Sequence, residues 1–274
     1  MSDKKPKDTV RKFYDSYGWK REGESGRFMD EVAHEDQNEI VRRYMFENEN
    51  RYLQYFEQGG QYFLDAGCGA EPRRHFSSKF KFHVCTDFSE TGLIEARKLL
   101  GEDGQYVQAD LAALPFKSGI FGGVLASHVL YHVDKDDQPK VVQEFQRILQ
   151  PTRYAIVFYA SKYNLVSVFQ KLRKIVTNLS KKLFSRSSTS SPPVNPTDRP
   201  RLYYQPIPLK TLLQGLPKTD VTCLRTLTKA ETTLLAKLHL LKIVVPILMF
   251  CEHHFPHFMR RIGVYLTIRI EKIE

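Results

Sequence analysis

The chain has 274 residues, 42% hydrophobic and 26% charged, enough for one large α/β domain with additions around a buried core. Its formal net charge of +10 suits an acidic partner, nucleic acid or an anionic membrane surface. Four scattered cysteines without a CxxC pair indicate neither a disulfide framework nor a zinc site.

The N-terminus is charged and lacks an apolar signal region. The most apolar stretch, 238–251, contains Lys242 and falls short of the ~20 residues that a membrane span needs. A cytoplasmic setting is expected, with membrane association left open. Residues 30–56 show an amphipathic helical pattern through Val32, Ile40, Val41, Tyr44, Met45, Tyr52 and Phe56, stopped by Gly59-Gly60.

The period then changes. Short apolar runs at 61–65, 80–85, 105–108, 123–127 and 154–159 predict five strands. Between them, 89–100 reads as a helix with Leu93, Ile94, Ala96, Leu99 and Leu100 as its buried stripe. A second helix, 137–149, turns Val141, Val142, Phe145 and Ile148 inward. Continuous apolar strands alternating with helices predict a mainly parallel sheet covered on both faces. Every charged residue from Lys162 to Arg186 is basic, on a helical apolar spacing, and 187–200 is a Ser/Pro-rich loop. A strand at 221–228, an apolar helical region at 231–259 interrupted by Pro246 and Pro256, and an alternating strand at 263–271 complete the chain.

The chemistry concentrates at three strand ends. Leu64-Asp65-Ala66-Gly67-Cys68-Gly69 is a strand end followed by Gly-x-Gly, which lets backbone turn sharply against a ligand. A pyrophosphate-binding loop would add a third glycine; this chain has Ala70-Glu71-Pro72, and Glu71 favours an uncharged or zwitterionic ligand. Asp87 ends the second strand, where a carboxylate can accept both ribose hydroxyls, and Asp110 follows the third, where it can accept from an adenine amino group. Acids at such turns also cap helices.

These segments, with Thr86-Asp-Phe-Ser89, Ala109-Asp-Leu111, Ser127-His-Val-Leu-Tyr-His-Val133 and Glu144-Phe-Gln-Arg-Ile-Leu149, resemble the successive motifs of class I S-adenosylmethionine-dependent methyltransferases. The small-molecule type, with the ubiquinone/menaquinone C-methyltransferases, is the most similar, over roughly 60–160. The resemblance implies a Rossmann-like, seven-stranded, mainly parallel sheet with an N-terminal helical lid and two cap insertions, and S-adenosylmethionine as cofactor. Asp65, Gly67 and Gly69 would frame the methionine part, Asp87 and Phe88 the ribose and adenine, and Asp110 and Leu111 the adenine, with Ser127 closing the site.

Two departures, Phe121-Gly122 before the fourth strand and Pro151-Thr152-Arg153 before the fifth, bear on turn geometry. His128 and His132 are the candidate catalytic bases; packing without a proton role is the competing reading, slightly favoured for His132. Tyr14 and Tyr17, with Trp19, form an aromatic cluster that would cover the cofactor or pack as an ordinary patch. His253 and His257 lie one turn apart, but Pro256 breaks that turn and no metal site is expected.

The expected segments are a helical lid (1–58), the cofactor-binding core (59–160), a basic cap helix, linker and following helix (161–219), and the last two strands with an apolar helical insertion (220–274). The basic and apolar insertions favour a small hydrophobic or lipid-linked methyl acceptor and peripheral membrane contact. RNA or tRNA methylation, and a non-catalytic Rossmann-like binding protein, are the alternatives. Against nucleic acid, the Asn/Asp-Pro-Pro-Tyr signature of base methylation is replaced by Ser127-His-Val-Leu130.

Overall fold

Seven strands form one sheet in the order β3-β2-β1-β4-β5-β7-β6 in a computed structural model describing residues 6–21, 26–29, 38–162 and 203–273. The strands are β1 (Gly60–Ala66), β2 (Phe80–Asp87), β3 (Gly104–Gln108), β4 (Gly123–Ser127), β5 (Tyr154–Ala160), β6 (Thr219–Arg225) and β7 (Tyr265–Glu271). The first five run parallel, and β7 is antiparallel to both β5 and β6. Strand order reverses between β1 and β4, so a crevice opens beyond their carboxyl ends, where open α/β sheets bind ligands.

The helices are α1 (Pro6–Phe13), α2 (Glu39–Asn50), α3 (Glu90–Leu100), α4 (Gln138–Ile148), α5 (Leu209–Leu212), α6 (Lys229–Lys237), α7 (Leu241–His254) and α8 (Pro256–Met259). Residues 30–37 of the expected first helix, the basic segment beyond Lys162 and the 187–200 loop lie outside the described residues.

Burial on both faces explains the apolar strands. One core joins Leu64, Val124, Val157 and Ile268 to Val141, Val142, Phe145 and Ile148 of α4, all fully buried as the spacing predicts. The other packs Phe63, Leu125, Ile156 and Phe158 against Tyr52, Phe56 and Phe76. The α3 stripe is narrower than expected. Leu93, Ala96 and Leu100 are buried, but Ile94 and Leu99 are 51% and 59% exposed. At 100° per residue the set i, i+3, i+7 holds the sheet-facing side, and those two fall beyond it.

Both departures from the resembled motifs have a packing account. A β-carbon on Gly123 would overlap the Phe56 ring, and one on Gly122 would sit tight against the Phe80 ring and the Gly59 carbonyl, so side chains there meet crowding. Thr152 takes the left-handed conformation, φ +60°, with its N–H donating to the Lys272 carbonyl at 2.9 Å. Pro246 does not interrupt the apolar helix as expected. It sits inside α7 on the exposed side, where the carbonyl it leaves unpaired can meet water.

Candidate active site at the carboxyl edge of the sheet

A cavity of about 870 Å³ opens over the ends of β1, β2 and β4. Asp65, Gly67, Asp87, Phe88, Asp110, Leu111, Ser127, His128, His132 and Tyr14 all line it, brought together from segments far apart in sequence. Gly69 and Tyr17 do not line it. Gly69 lies beneath Trp19, and Tyr17 packs on Phe13 with ring centroids 5.6 Å apart.

The β1 turn is built for close approach. Gly67 and Gly69 have φ of +70° and +55°, and a β-carbon on either would overlap Val129 or Trp19. Asp87 ties this turn to the next: one carboxylate oxygen accepts from the Gly69 N–H at 2.9 Å, the other from the Ser89 N–H at 2.8 Å. The α3 N-cap is Ser89, which accepts from the Gly92 N–H. Capping therefore does not account for Asp87. Burial raises its pKa to about 6 despite those N–H donors.

Asp65 is fully buried. It accepts from the Arg73 N–H at 2.7 Å and lies 3.4 Å from the His83 imidazole. Burial works against charge on His83, but Asp65 and Cys85 hold its pKa up at about 9. Asp110 accepts from the Ala112 N–H and from Lys7, 2.5 Å away, which also meets Asp137 at 2.9 Å. The adenine acceptor expected from the sequence thus already carries a lysine from the N-terminal helix.

That helix leads into an aromatic cluster tied to α3. Ser89 donates to Asp15 at 2.6 Å, and Arg21 to Glu95 at 2.9 Å. Tyr14 stacks on Trp19 at 5.0 Å, 20° from parallel, and both reach the cavity. Gly92 leaves room for the indole over α3.

On the far side of the cavity lies a charged group not singled out in the sequence. Glu49 of α2 sits 3.9 Å from Arg73 and 3.6 Å from Nε2 of His128. Burial opposes its ionisation, yet Arg73 and His128 hold its pKa down at about 2. His128 is left-handed, φ +58°, and neither ring nitrogen has a hydrogen-bond partner among the described residues. Burial pushes its pKa down, against the raising effect of Glu49, so the neutral base is favoured. His132 instead donates from Nδ1 to the Tyr203 carbonyl at 2.7 Å, which orients its ring. Arg225, Tyr131 and Tyr265 complete this side. A Glu in the charged run of α2 reads as a solvated face; the packing of α2 against α7 and β6 brings it inside.

The residues fit S-adenosylmethionine. A carboxylate at Asp87 matches a ribose diol, Gly67 admits backbone contact, and the buried Ser127 hydroxyl at the cavity wall has no partner among the described residues. Glu71 also lines the cavity, consistent with a ligand lacking pyrophosphate.

Comparison with known proteins agrees. Residues 64–157 match the family model for a methyltransferase domain. No curated protein matches the sequence. Among solved structures, geranyl diphosphate C-methyltransferase from Streptomyces coelicolor aligns over 100% of both chains, at 11% identity and a TM-score of 0.57. The cyclase SpnF aligns over 88% of each chain at 12% identity and a TM-score of 0.51. The YcgJ protein of Bacillus subtilis aligns over 50% of this chain and 58% of its own, at 19% identity and a TM-score of 0.39, so this chain spans less than two thirds of it. At such identities the first two likenesses are of fold. The family match falls on the strands that build the site, and the fold, the cavity lining and the match of residues 64–157 to a methyltransferase domain together support a methyltransferase that uses S-adenosylmethionine.

Proposed function

We propose that the chain transfers the methyl group of S-adenosylmethionine to a small hydrophobic or lipid-linked acceptor held beside Glu49 and His128. The observation that carries this is the cavity itself. At about 870 Å³ it is near the top of the ~300–1,000 Å³ range of ligand pockets, and Asp87 and Asp110 account for one side only. Val41, Tyr44, Met45, Phe46, Leu227 and Tyr265 make much of the other side apolar.

Asp65, Gly67 and Asp87 would hold the cofactor, which would supply an electrophilic methyl group. The protein's part is to position the acceptor, exclude water and receive a proton. Tyr14 and Trp19 cover the site, and neutral His128 takes the proton while Glu49 stabilises the resulting imidazolium. The motif likeness to quinone C-methyltransferases supports an apolar acceptor, as does a full-length fold neighbour that acts on geranyl diphosphate.

The test is incubation with methyl-labelled S-adenosylmethionine and separate lipid, quinone and RNA fractions. Label in the organic fraction supports the proposal, and label in RNA alone overturns it. No label, with cofactor still bound, would favour a non-methylating role, since one neighbour with this fold is a cyclase. His128→Asn, which tolerates the left-handed backbone, should lower kcat about 10²–10⁴-fold with cofactor affinity kept. An unchanged kcat removes the base role.

We also propose that α6–α8 rest on an anionic membrane. Ile243, Ile247 and Phe250 recur on one face of α7 and, with Phe255 and Phe258, are each more than half exposed. Lys237, Lys242, Arg260 and Arg261 are exposed around them, and no acidic side chain is exposed between 229 and 262. An apolar patch with a basic rim matches an anionic bilayer surface. Lys229 and Thr232 of α6 line the cavity, so an acceptor leaving the bilayer would enter beside α6. No helix among the described residues is long and apolar enough to cross a membrane.

Cosedimentation with phosphatidylglycerol/phosphatidylcholine vesicles should be lost in the Ile247→Glu/Phe250→Glu variant and reduced on pure phosphatidylcholine. Unaltered binding defeats the proposal. A wild-type dimer that the same variant dissociates would reassign the face to a second copy.

A further inference from the structure

The edge strand β6 carries an irregularity that aims one residue into the cavity. Its ladder with β7 keeps register from Thr219↔Ile270 to Cys223↔Leu266, then shifts so that Arg225 stands opposite Tyr265. Leu224, at the shift, is fully buried in the core behind the sheet. A bulge of this kind re-aims the next side chain, and such bulges gather beside active sites.

The side chain it presents is unusually underused. The Arg225 guanidinium lies over the Tyr265 ring, 4.3 Å from its centroid, and its Nε is enclosed without a hydrogen-bond partner. No hydrogen bond or ion pair of this guanidinium is present among the described residues. Glu49, which feels the Arg225 charge without forming an ion pair with it, is engaged by Arg73 and His128. Arg225 therefore brings a positive charge to the acceptor side with only an aromatic face beneath it. The residue is half-buried and only its Nε is shut off from water, so the open end of the planar donor fork faces the cavity, where it is complementary to a carboxylate or phosphate oxygen pair.

We infer that the methyl acceptor carries an oxyanion, a carboxylate or phosphate group, which Arg225 binds at the end of the cavity formed by β6 and β7. The inference rests on the reading that this side of the cavity holds the acceptor. It adds a substrate class: an amphiphilic acid, with its apolar part against Leu227, Met45 and Phe46. The bulge and the Tyr265 ring fix the guanidinium plane in advance, so the acid is held at low entropic cost.

The test uses the full chain saturated with S-adenosylhomocysteine and reads the fluorescence of Trp19, the single tryptophan, which lines the cavity. Decanoate, decyl phosphate and decanol are titrated as probes. At least one of the two anions should bind on the order of tenfold or more tighter than decanol, and which one leads separates a carboxylate from a phosphate acceptor. Arg225→Gln should abolish that preference, and Arg225→Lys should restore part of it, with S-adenosylhomocysteine affinity unchanged in both.

Equal binding of decanol and the anions, or an anion preference that survives Arg225→Gln, overturns the inference and leaves methyl transfer standing. Failure of the wild-type chain to bind S-adenosylhomocysteine would instead overturn the methyltransferase reading beneath it. A simple loss of structure in the glutamine variant is recognised by loss of S-adenosylhomocysteine affinity, and the lysine variant then decides the question by retaining or losing the preference.

Discussion

Replacing Asp87 with alanine should weaken S-adenosylmethionine binding roughly 10- to 100-fold, about 1.5–3 kcal/mol, in a calorimetric titration at neutral pH. The loss has two sources. A ribose diol would lose its acceptor, and the Gly69 and Ser89 N–H groups would lose the carboxylate that joins the β1 turn to the start of α3. Asp87→Asn separates them, since its amide oxygen can serve only one of those N–H groups. Asparagine retaining more affinity than alanine would show the tie between the loops at work. Unchanged affinity in the alanine variant would remove Asp87 from the site.

The raised pKa of Asp87 adds a pH dependence whose two parts have opposite sign. In the unliganded protein the group holds its proton up to about pH 6, whereas an unfolded aspartate loses it near ~3.9. The folded state thus binds more protons between about pH 4 and 6, and this group's contribution to stability falls as pH rises through that window. Cofactor binding needs the carboxylate, so affinity should rise over the same window and level off above about pH 6. A flat affinity profile from pH 5 to 7.5 would contradict this assignment.

The strand ends were legible because their constraints are local. Gly67 and Gly69 must turn, Asp87 and Asp110 end strands, and five parallel strands buried on both faces leave unbroken apolar runs. Ser127 and His128 followed from their place after β4. Glu49 and Arg225 were not legible, because each looks ordinary in its own segment. Glu49 belongs to a charged helical run, and Arg225 gains its position from a register shift against a strand some 40 residues away, which no local pattern records. Tyr14, Tyr17 and Trp19 read equally as a cofactor cover and as an ordinary aromatic patch. The close fit of Trp19 over Gly69 and Gly92 depends on two glycines, one in the β1 turn and one in α3. The over-wide α3 stripe has a simpler cause. Exposed leucine and isoleucine are common on protein surfaces, so apolar identity alone does not mark the buried face.

The apolar segment hides the residue with the largest expected effect on stability. Glu252 of α7 is fully buried, and its carboxyl oxygens accept from the Tyr44 hydroxyl at 2.7 Å, the Asn48 amide at 2.9 Å and the N–H and hydroxyl of Thr226 at 2.8 Å. Its backbone carbonyl accepts from Arg51. One side chain thus joins α7 to α2 and to the end of β6, the elements that deliver Glu49 and Arg225 to the cavity.

Alanine at this position would orphan several buried donors at roughly 1–3 kcal/mol each, with water entry and relaxation recovering part, so a net loss of about 3–5 kcal/mol is expected. At roughly 2–4 °C per kcal/mol, the thermal midpoint should fall by about 6–20 °C. Glu252→Gln should cost far less. Its amide oxygen can keep Tyr44 and Thr226, and its NH₂ can donate to Asn48 if that amide turns over. His253, 3.0 Å from Asn48, permits the turn by exchanging its ring tautomer. A midpoint shift of under 2 °C for alanine, or equal losses for both variants, would dissolve this network as the anchor of α2. If the anchor holds, ligand binding at the acceptor side should suffer more in the alanine variant than cofactor binding at Asp87, because only the former depends on where α7 holds α2.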